Sequence, residues 1–207
     1  VDFDFNLDLL NTNLSIFNKK SDASLSANIN VKLRGSDVEN VIGDLSIYDL
    51  KYFNNNVTHS FDDFQAQLRY NDDIRILNLS SQDAISGVII GEYDIFNIRN
   101  IFINNIGNHY SNFKTNDEVD FKNISFNLNL KPKLAQLLRD NLDIDESTFI
   151  SGDFKENGEY KIDLKSNYIN YNKLKAEAID ISFNNESGFF KINKLSSKFL
   201  EGTNFNI

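Results

Sequence analysis

Few side chains in this sequence carry the chemistry of a catalytic or metal site. His59 and His109 are the only imidazoles, and there is no cysteine. Neither histidine has a second histidine or cysteine two, three or four residues on, so neither opens a metal motif. The plain reading is a surface or helix-face histidine. Asp143, Asp145 and Ser147 alternate like the start of a calcium loop. Such a loop needs glycine at its sixth position and glutamate at its twelfth, where this chain has Thr148 and Phe154. A loop that precedes a strand is expected instead. Asp62–Asp63 and Asp72–Asp73 have the chemistry of turn residues. No G-x-S-x-G, phosphate-binding loop, G-x-G-x-x-G or cysteine nucleophile occurs. A Ser–His–Asp triad is a spatial arrangement, and nothing local suggests one. The expectation is a protein without catalytic residues, metal or cofactor.

The totals narrow the classes further. The formal net charge is −9 over 207 residues, with a pI near 4.7. Such a chain repels phosphate backbones, which argues against nucleic-acid binding. It also argues against docking on an anionic membrane through basic residues. Without cysteine there are no disulfides and no thiolate ligands, which fits any compartment. No run of 18 apolar residues is present to span a bilayer as a helix. Phenylalanine is abundant (18), while methionine and tryptophan are absent. With no methionine and an alternating pattern from the first residues, the chain is expected to be a slice of a longer protein. It is rich in asparagine, and the N-x-S/T matches at Asn13, Asn56, Asn78, Asn123 and Asn185 follow from that composition.

The elements that would position any site are mostly strands. In residues 2 to 9, Phe3, Phe5, Leu7 and Leu9 alternate with Asp2, Asp4, Asn6 and Asp8. In 25 to 33, Leu25, Ala27, Ile29, Val31 and Leu33 alternate with polar residues. Period two with one apolar face is a half-buried strand. The same reading gives strands at 42–52, with a bulge near Asp49–Leu50, and at 61–70, 74–80, 87–93 and 119–130. Further strands are expected at 148–154, 160–165, 168–171, 174–183, 189–192 and 198–207, with turns at 54–56, 71–73, 116–118 and 156–158.

Two stretches change period. Ile98, Ile101, Phe102, Ile106, Tyr110 and Phe113 form one apolar stripe at helical spacing, with Asn97 placed as N-cap. Pro132 opens a second, shorter helix, with Leu134, Leu137, Leu138 and Leu142 on its apolar face. The fold class is therefore mostly β, with an amphipathic helix near 97–113 and a short helix near 132–142. There is no βαβ rhythm, so a parallel doubly wound sheet is not expected. The first helix has only Arg99 as a basic residue on a polar face of asparagines, so packing on its own sheet is favoured over a membrane surface. A closed barrel or sandwich and an open, elongated, curved antiparallel sheet both remain. Pattern alone favours the plain reading, in which the alternating Phe, Ile and Leu fill a core. The sharper reading is that so long a sheet leaves part of its apolar face uncovered, as a groove for a lipid chain.

Several stretches resemble the periplasmic part of TamB-like proteins, in the wider AsmA-like superfamily. They are VIGDLSIYDLKYFNNN at 41–56, FDDFQAQLRY at 61–70, ILNLSSQDAISGVIIGEYDIFNIRNIFINNIGNHYSNF at 76–113, FKNISFNLNLKPKLAQLLRDNL at 121–142 and FISGDF at 149–154. Gly87, Gly91, Pro132 and Gly152 stand where the family pattern has its glycines and helix start. The resemblance covers about residues 25 to 195.

It implies a single β-groove segment over 1–207, internal to a longer protein anchored in the inner membrane by a segment outside this one. It implies the periplasm of a Gram-negative bacterium and a sheet folded into a trough (a β-taco). The trough would carry phospholipid to the outer membrane, assist outer-membrane protein assembly, or both. The implied partners are phospholipid acyl chains and an outer-membrane barrel of the Omp85 type. The alternation then points to inward-facing residues: Phe5, Leu7, Ile29, Val31, Leu45, Ile47, Leu68, Phe126, Leu128, Ile162, Ile181 and Phe183. The competing reading is a structural or adhesive β-domain with a sealed core. An enzyme would need paired carboxylates in a cleft, and an outer-membrane barrel would need strands of regular length with aromatic girdles.

Overall fold

A computed structural model describes residues 2–14, 23–36, 41–54, 57–94, 97–107, 121–139, 141–184, 190–199 and 204–206. They form one antiparallel sheet, elongated and curved, with two short helices. The strands are β1 (Asp2–Asn13), β2 (Ser24–Arg34), β3 (Ile42–Asn54), β4 (Val57–Ser60), β5 (Phe64–Asn71), β6 (Ile74–Ser81) and β7 (Ile85–Tyr93). Helix α1 (Ile98–Gly107) follows, then β8 (Phe121–Leu130), helix α2 (Pro132–Leu138), β9 (Leu142–Ile144), β10 (Thr148–Phe154), β11 (Tyr160–Tyr171), β12 (Leu174–Asn184), β13 (Phe190–Phe199) and β14 (Asn204–Asn206).

The strands are ordered β1-β2-β3-β5-β6-β7-β8-β10-β11-β12-β13-β14, with β4 paired beside β3 and β9 beside β11. Order in space thus follows order in the chain. Leaving aside the side strands β4 and β9, each strand pairs with the next along the chain, mostly through short antiparallel connections that close with little entropy loss. Among the described residues, β1 and β14 each have a partner on one side only, so the sheet is open. A closed barrel is thereby set aside.

Local chemistry explains the interruptions. Asp49 adopts φ 54°, and the β2–β3 register shifts between Ser26 and Asn28 opposite it, which is the expected bulge. Asp72 (φ 53°) makes the β5–β6 turn. Gly158 (φ 83°) lies in the β10–β11 turn, a conformation that suits glycine. Gly87 and Gly91 have φ 142° and 158°, and a Cβ on either would stand 2.0 Å from a carbonyl oxygen of β8. Only glycine lets β7 come that close.

Several boundaries differ from the sequence reading; where strands were expected at 189–192 and 198–207, one strand runs Phe190–Phe199 and a short one Asn204–Asn206. Residues 160–171 form one strand rather than two. β4, the four-residue segment VTHS, was not anticipated. Helix α2 ends at Leu138 rather than 142, because Arg139 is extended (φ −153°, ψ 116°); Leu142 instead opens β9 opposite Tyr171. Asn97 holds the N-cap position: its carbonyl accepts from the Ile101 N–H at 2.9 Å, while its side-chain amide donates to Asp94 Oδ2. The remainder of the expected 97–113 helix, with His109, Tyr110 and Phe113, lies outside the described residues, as does the turn at 116–118.

The best-covered part of the core is in the middle of the sheet. Ile89, Tyr93, Ile124, Phe126, Leu128, Phe154 and Tyr160 pack with Ile101 of α1. The Phe102 ring stands 4.9 Å from both the Phe126 and Phe154 rings, the latter edge-on. Burying such aromatic groups supplies most of the drive that fixes α1 on the sheet.

Candidate functional site: an apolar strip across the sheet

Backbone register assigns each apolar position to a face. One row runs Phe5, Val31, Leu45, Ala66, Leu79, Gly87, Leu128, Ile150, Leu164, Ile181, pairing strand by strand from β1 to β12. Beside it runs Phe3, Leu33, Gly43, Leu68, Leu77, Ile89, Phe126, Gly152, Ile162, Phe183. A third row on the other side begins Leu7, Ile29, Ile47, Phe64. All twelve residues singled out from the sequence therefore occupy one face, in three adjacent rows. At about 4.8 Å per strand, ten strands carry the strip over roughly 43 Å.

The strip is covered unevenly. In its middle, Ile124, Phe126 and Phe154 are 0–1% exposed beneath α1. At its N-terminal end, Phe3 and Leu7 are 52% and 42% exposed. Between these limits Phe5, Val31, Leu45, Leu79, Ile150, Leu164 and Ile181 are half-buried. Leu79, Ile89, Ile150 and Leu164 were not named from the sequence, although the same alternation marks them.

Polar groups border the strip. Thr148 and Ser166, both buried, have hydroxyls 2.7 Å apart, and Ser166 donates to the Tyr168 carbonyl. Near the other border Arg75 is 6% exposed, in phase with Leu77 and Leu79 and opposite Gly91. Its Nε donates to the Tyr70 hydroxyl and its Nη1 to the Tyr93 carbonyl. The guanidinium also stands 5.1 Å from the Tyr70 ring centre. Hydrogen bonds and ring contact are what make a buried cation tolerable. Burial pushes the Tyr93 hydroxyl up to about 12, against the pull of Arg75. Sequence reading missed this cluster; the signal was an arginine in phase with apolar neighbours.

Comparison with family models, with curated proteins and with solved structures gives no match.

The opposite face is mostly polar and paired to itself, with Ile76, Val88 and Ile90 as an apolar patch on β6 and β7. Arg34 meets Asp2 at 2.8 Å, and Arg69 meets Asp44 at 2.7 Å. The Gln67 amide, with Arg69, holds the Asp44 carboxyl below its ordinary range. Asn30 donates to Asn6 at 2.6 Å, and Ser125 to Asp153 at 2.5 Å. These groups keep that face wet while contributing little each, as exposed pairs do.

The sequence candidates for chemistry are placed as follows. Asp145 accepts from the Ser147 N–H and hydroxyl and from the Asn167 amide, and these bonds hold its carboxyl below its ordinary range. Asp143 accepts from Asn170 at 3.1 Å. This is a loop whose carboxylates fasten it to β11. His59 stacks beside Tyr52 on the β3–β4 hairpin, ring centres 6.3 Å apart. No group of three or more His, Cys, Asp or Glu able to hold a metal is found among the described residues. No described helix is long and apolar enough to cross a membrane.

Proposed function

We propose that this chain is a segment of a hydrophobic groove that carries phospholipid acyl chains between the inner and outer membranes of a Gram-negative bacterium, through the periplasm. A role in outer-membrane protein assembly alongside an Omp85-type barrel is the companion proposal. Both the compartment and the partner rest on the resemblance to TamB-like proteins.

One observation carries the lipid reading: an apolar row crosses ten consecutive strands on one face, and much of it remains half-exposed. An acyl chain gains about 0.8 kcal/mol per CH₂ buried, so a long continuous strip suits it better than isolated pockets. No bond is made or broken in such a task, and this reading needs no catalytic residue. A second reading, a structural or adhesive β-domain, draws on the sealed middle of the strip, where Phe126 and Phe154 are closed beneath α1.

The test is binding of a fluorescent phospholipid to the purified chain, followed by gel filtration. Co-elution with the protein is expected, together with its loss in the double variant Val31→Asp/Leu45→Asp whose strand content is unchanged by circular dichroism. Absence of co-elution, or equal binding by the variant, selects the structural reading.

A further inference from the structure

Helix α1 is a poor helix by its own chemistry. Its sequence is IRNIFINNIG. Four isoleucines are β-branched, three asparagines favour caps and turns, and Gly107 is a weak helix former. It has no acidic residue in its first turn and no basic residue in its last to offset the macrodipole. Helix α2 differs: PKLAQLL is built mostly of good helix formers. Polar links also pin α2 to the sheet, with Lys133 Nζ 2.5 Å from Asp83 and 2.9 Å from the Ser60 carbonyl.

The sheet beneath α1 is complete without it. β7 and β8, the strands that flank α1 in the chain, pair directly from Ile85–Leu130 to Tyr93–Phe121. Withdrawing α1 breaks no strand pair. It uncovers one place, where Ile101 (1% exposed) and Phe102 sit on Ile124, Phe126 and Phe154 in the path of the strip.

We propose that this seat is an acyl-chain site and that α1 is its intrachain competitor, with Ile101 and Phe102 holding the place that a hydrocarbon tail takes. The proposal rests on the groove reading above and extends it. The helix folds because its apolar stripe is seated, and it unwinds when a tail takes the seat. The rest of the strip stays open to lipid in either state, and the middle opens only on loading.

Hydrogen exchange of the full chain tests this, with dodecanoate and dihexanoylphosphatidylglycerol, each below its micelle concentration, as separate arms. The two arms distinguish a free fatty acid from a phospholipid as the source of the tail. On saturation with either, amides of α1 are expected to exchange at least tenfold faster while those of β7 and β8 keep their protection. Phe102→Ser, which empties the seat, is expected to raise affinity at least fivefold. Binding with α1 protection unchanged or increased overturns the competitor role and leaves the groove reading standing. Unchanged or lower affinity in a folded Phe102→Ser chain also overturns that role. Failure of both ligands to bind either chain overturns the seat and the groove reading together.

Discussion

Phe126 lays its ring across Gly152, the residue paired with it on the neighbouring strand. A Cβ built on Gly152 would stand 2.7 Å from Phe126 Cζ and 2.4 Å from the Lys161 carbonyl oxygen. The glycine thus makes room for the ring on one side and for the β11 backbone on the other, an arrangement in which an aromatic covers a bare strand position. Because backbone as well as ring must shift, Gly152→Ala is expected to lower stability by about 1–3 kcal/mol. Urea unfolding measures it, and a midpoint equal to that of the parent chain contradicts the packing described.

The uneven cover of the strip gives a second expectation. Phe154 is 0% exposed and touches Phe102, Phe126 and Tyr160, whereas Phe3 is 52% exposed at the edge. Phe154→Ala is expected to cost about 3–5 kcal/mol. Phe3→Ala is expected to cost less, about 1–2 kcal/mol, since about half of its surface stays in water on folding. Similar losses at the two positions would mean that the edge is covered as well as the centre.

Much of this was legible in the residues, and the failures have physical causes. Strict alternation in 2–9 and 25–33 fixed both strand and face, because a one-residue slip would turn every phenylalanine outward. That is why the twelve positions chosen from pattern share one face. The strand at 160–171 read as two because Ser166 stands in an apolar phase; the hydroxyl of Thr148, across the β10–β11 pair, and the Tyr168 carbonyl make a buried serine acceptable there. β4 is too short for period two to register, and it exists because β3 runs on to Asn54 and offers it an edge. Helix α2 stops early through the demands of β9 on β11, where Leu142 pairs with Tyr171, far along the chain. That α1 packs on the sheet was legible in its apolar stripe, but neither the order of strands nor the place where α1 sits is a local property, so neither was readable. Arg75 was overlooked because a charge in a strand is ordinarily assigned to the wet face.

Tyr93 links stability to alkaline pH. Its hydroxyl is pushed from 10.0 to about 12 in the folded chain by burial. A raised value means that the unfolded chain loses this proton first. The contribution is therefore fully present below pH 10 and is lost as pH rises from 10 to about 12. Thermal unfolding across that window is expected to show a shallower decline for Tyr93→Phe than for the parent chain. Parallel declines would mean that Tyr93 is not shielded from water as described.

Helix α2 offers an acid-side counterpart. Burial raises the Asp83 carboxyl, but the bonds from Lys133 Nζ and the Asp62 N–H outweigh it and leave it below 3.8. A lowered value contributes stability above the unfolded value, and that contribution is lost as pH falls through the folded one. Stability is expected to fall below about pH 4 by less in Asp83→Asn than in the parent chain. Acid titration followed by circular dichroism reads the difference, and identical profiles contradict the link.

The central claim is that one face of this sheet meets hydrocarbon and the other meets water. Val31 and Lys32 are adjacent in β2, the first half-buried on the apolar face and the second exposed on the polar one. Neither lies under α1, unlike Phe126, so neither depends on helix movement. Benzoylphenylalanine at each position in turn, irradiated with phospholipid vesicles, measures the claim directly. Lipid adducts at position 31 at least fivefold above those at 32 are the predicted result. Equal labelling at both positions, or none at either, contradicts the account.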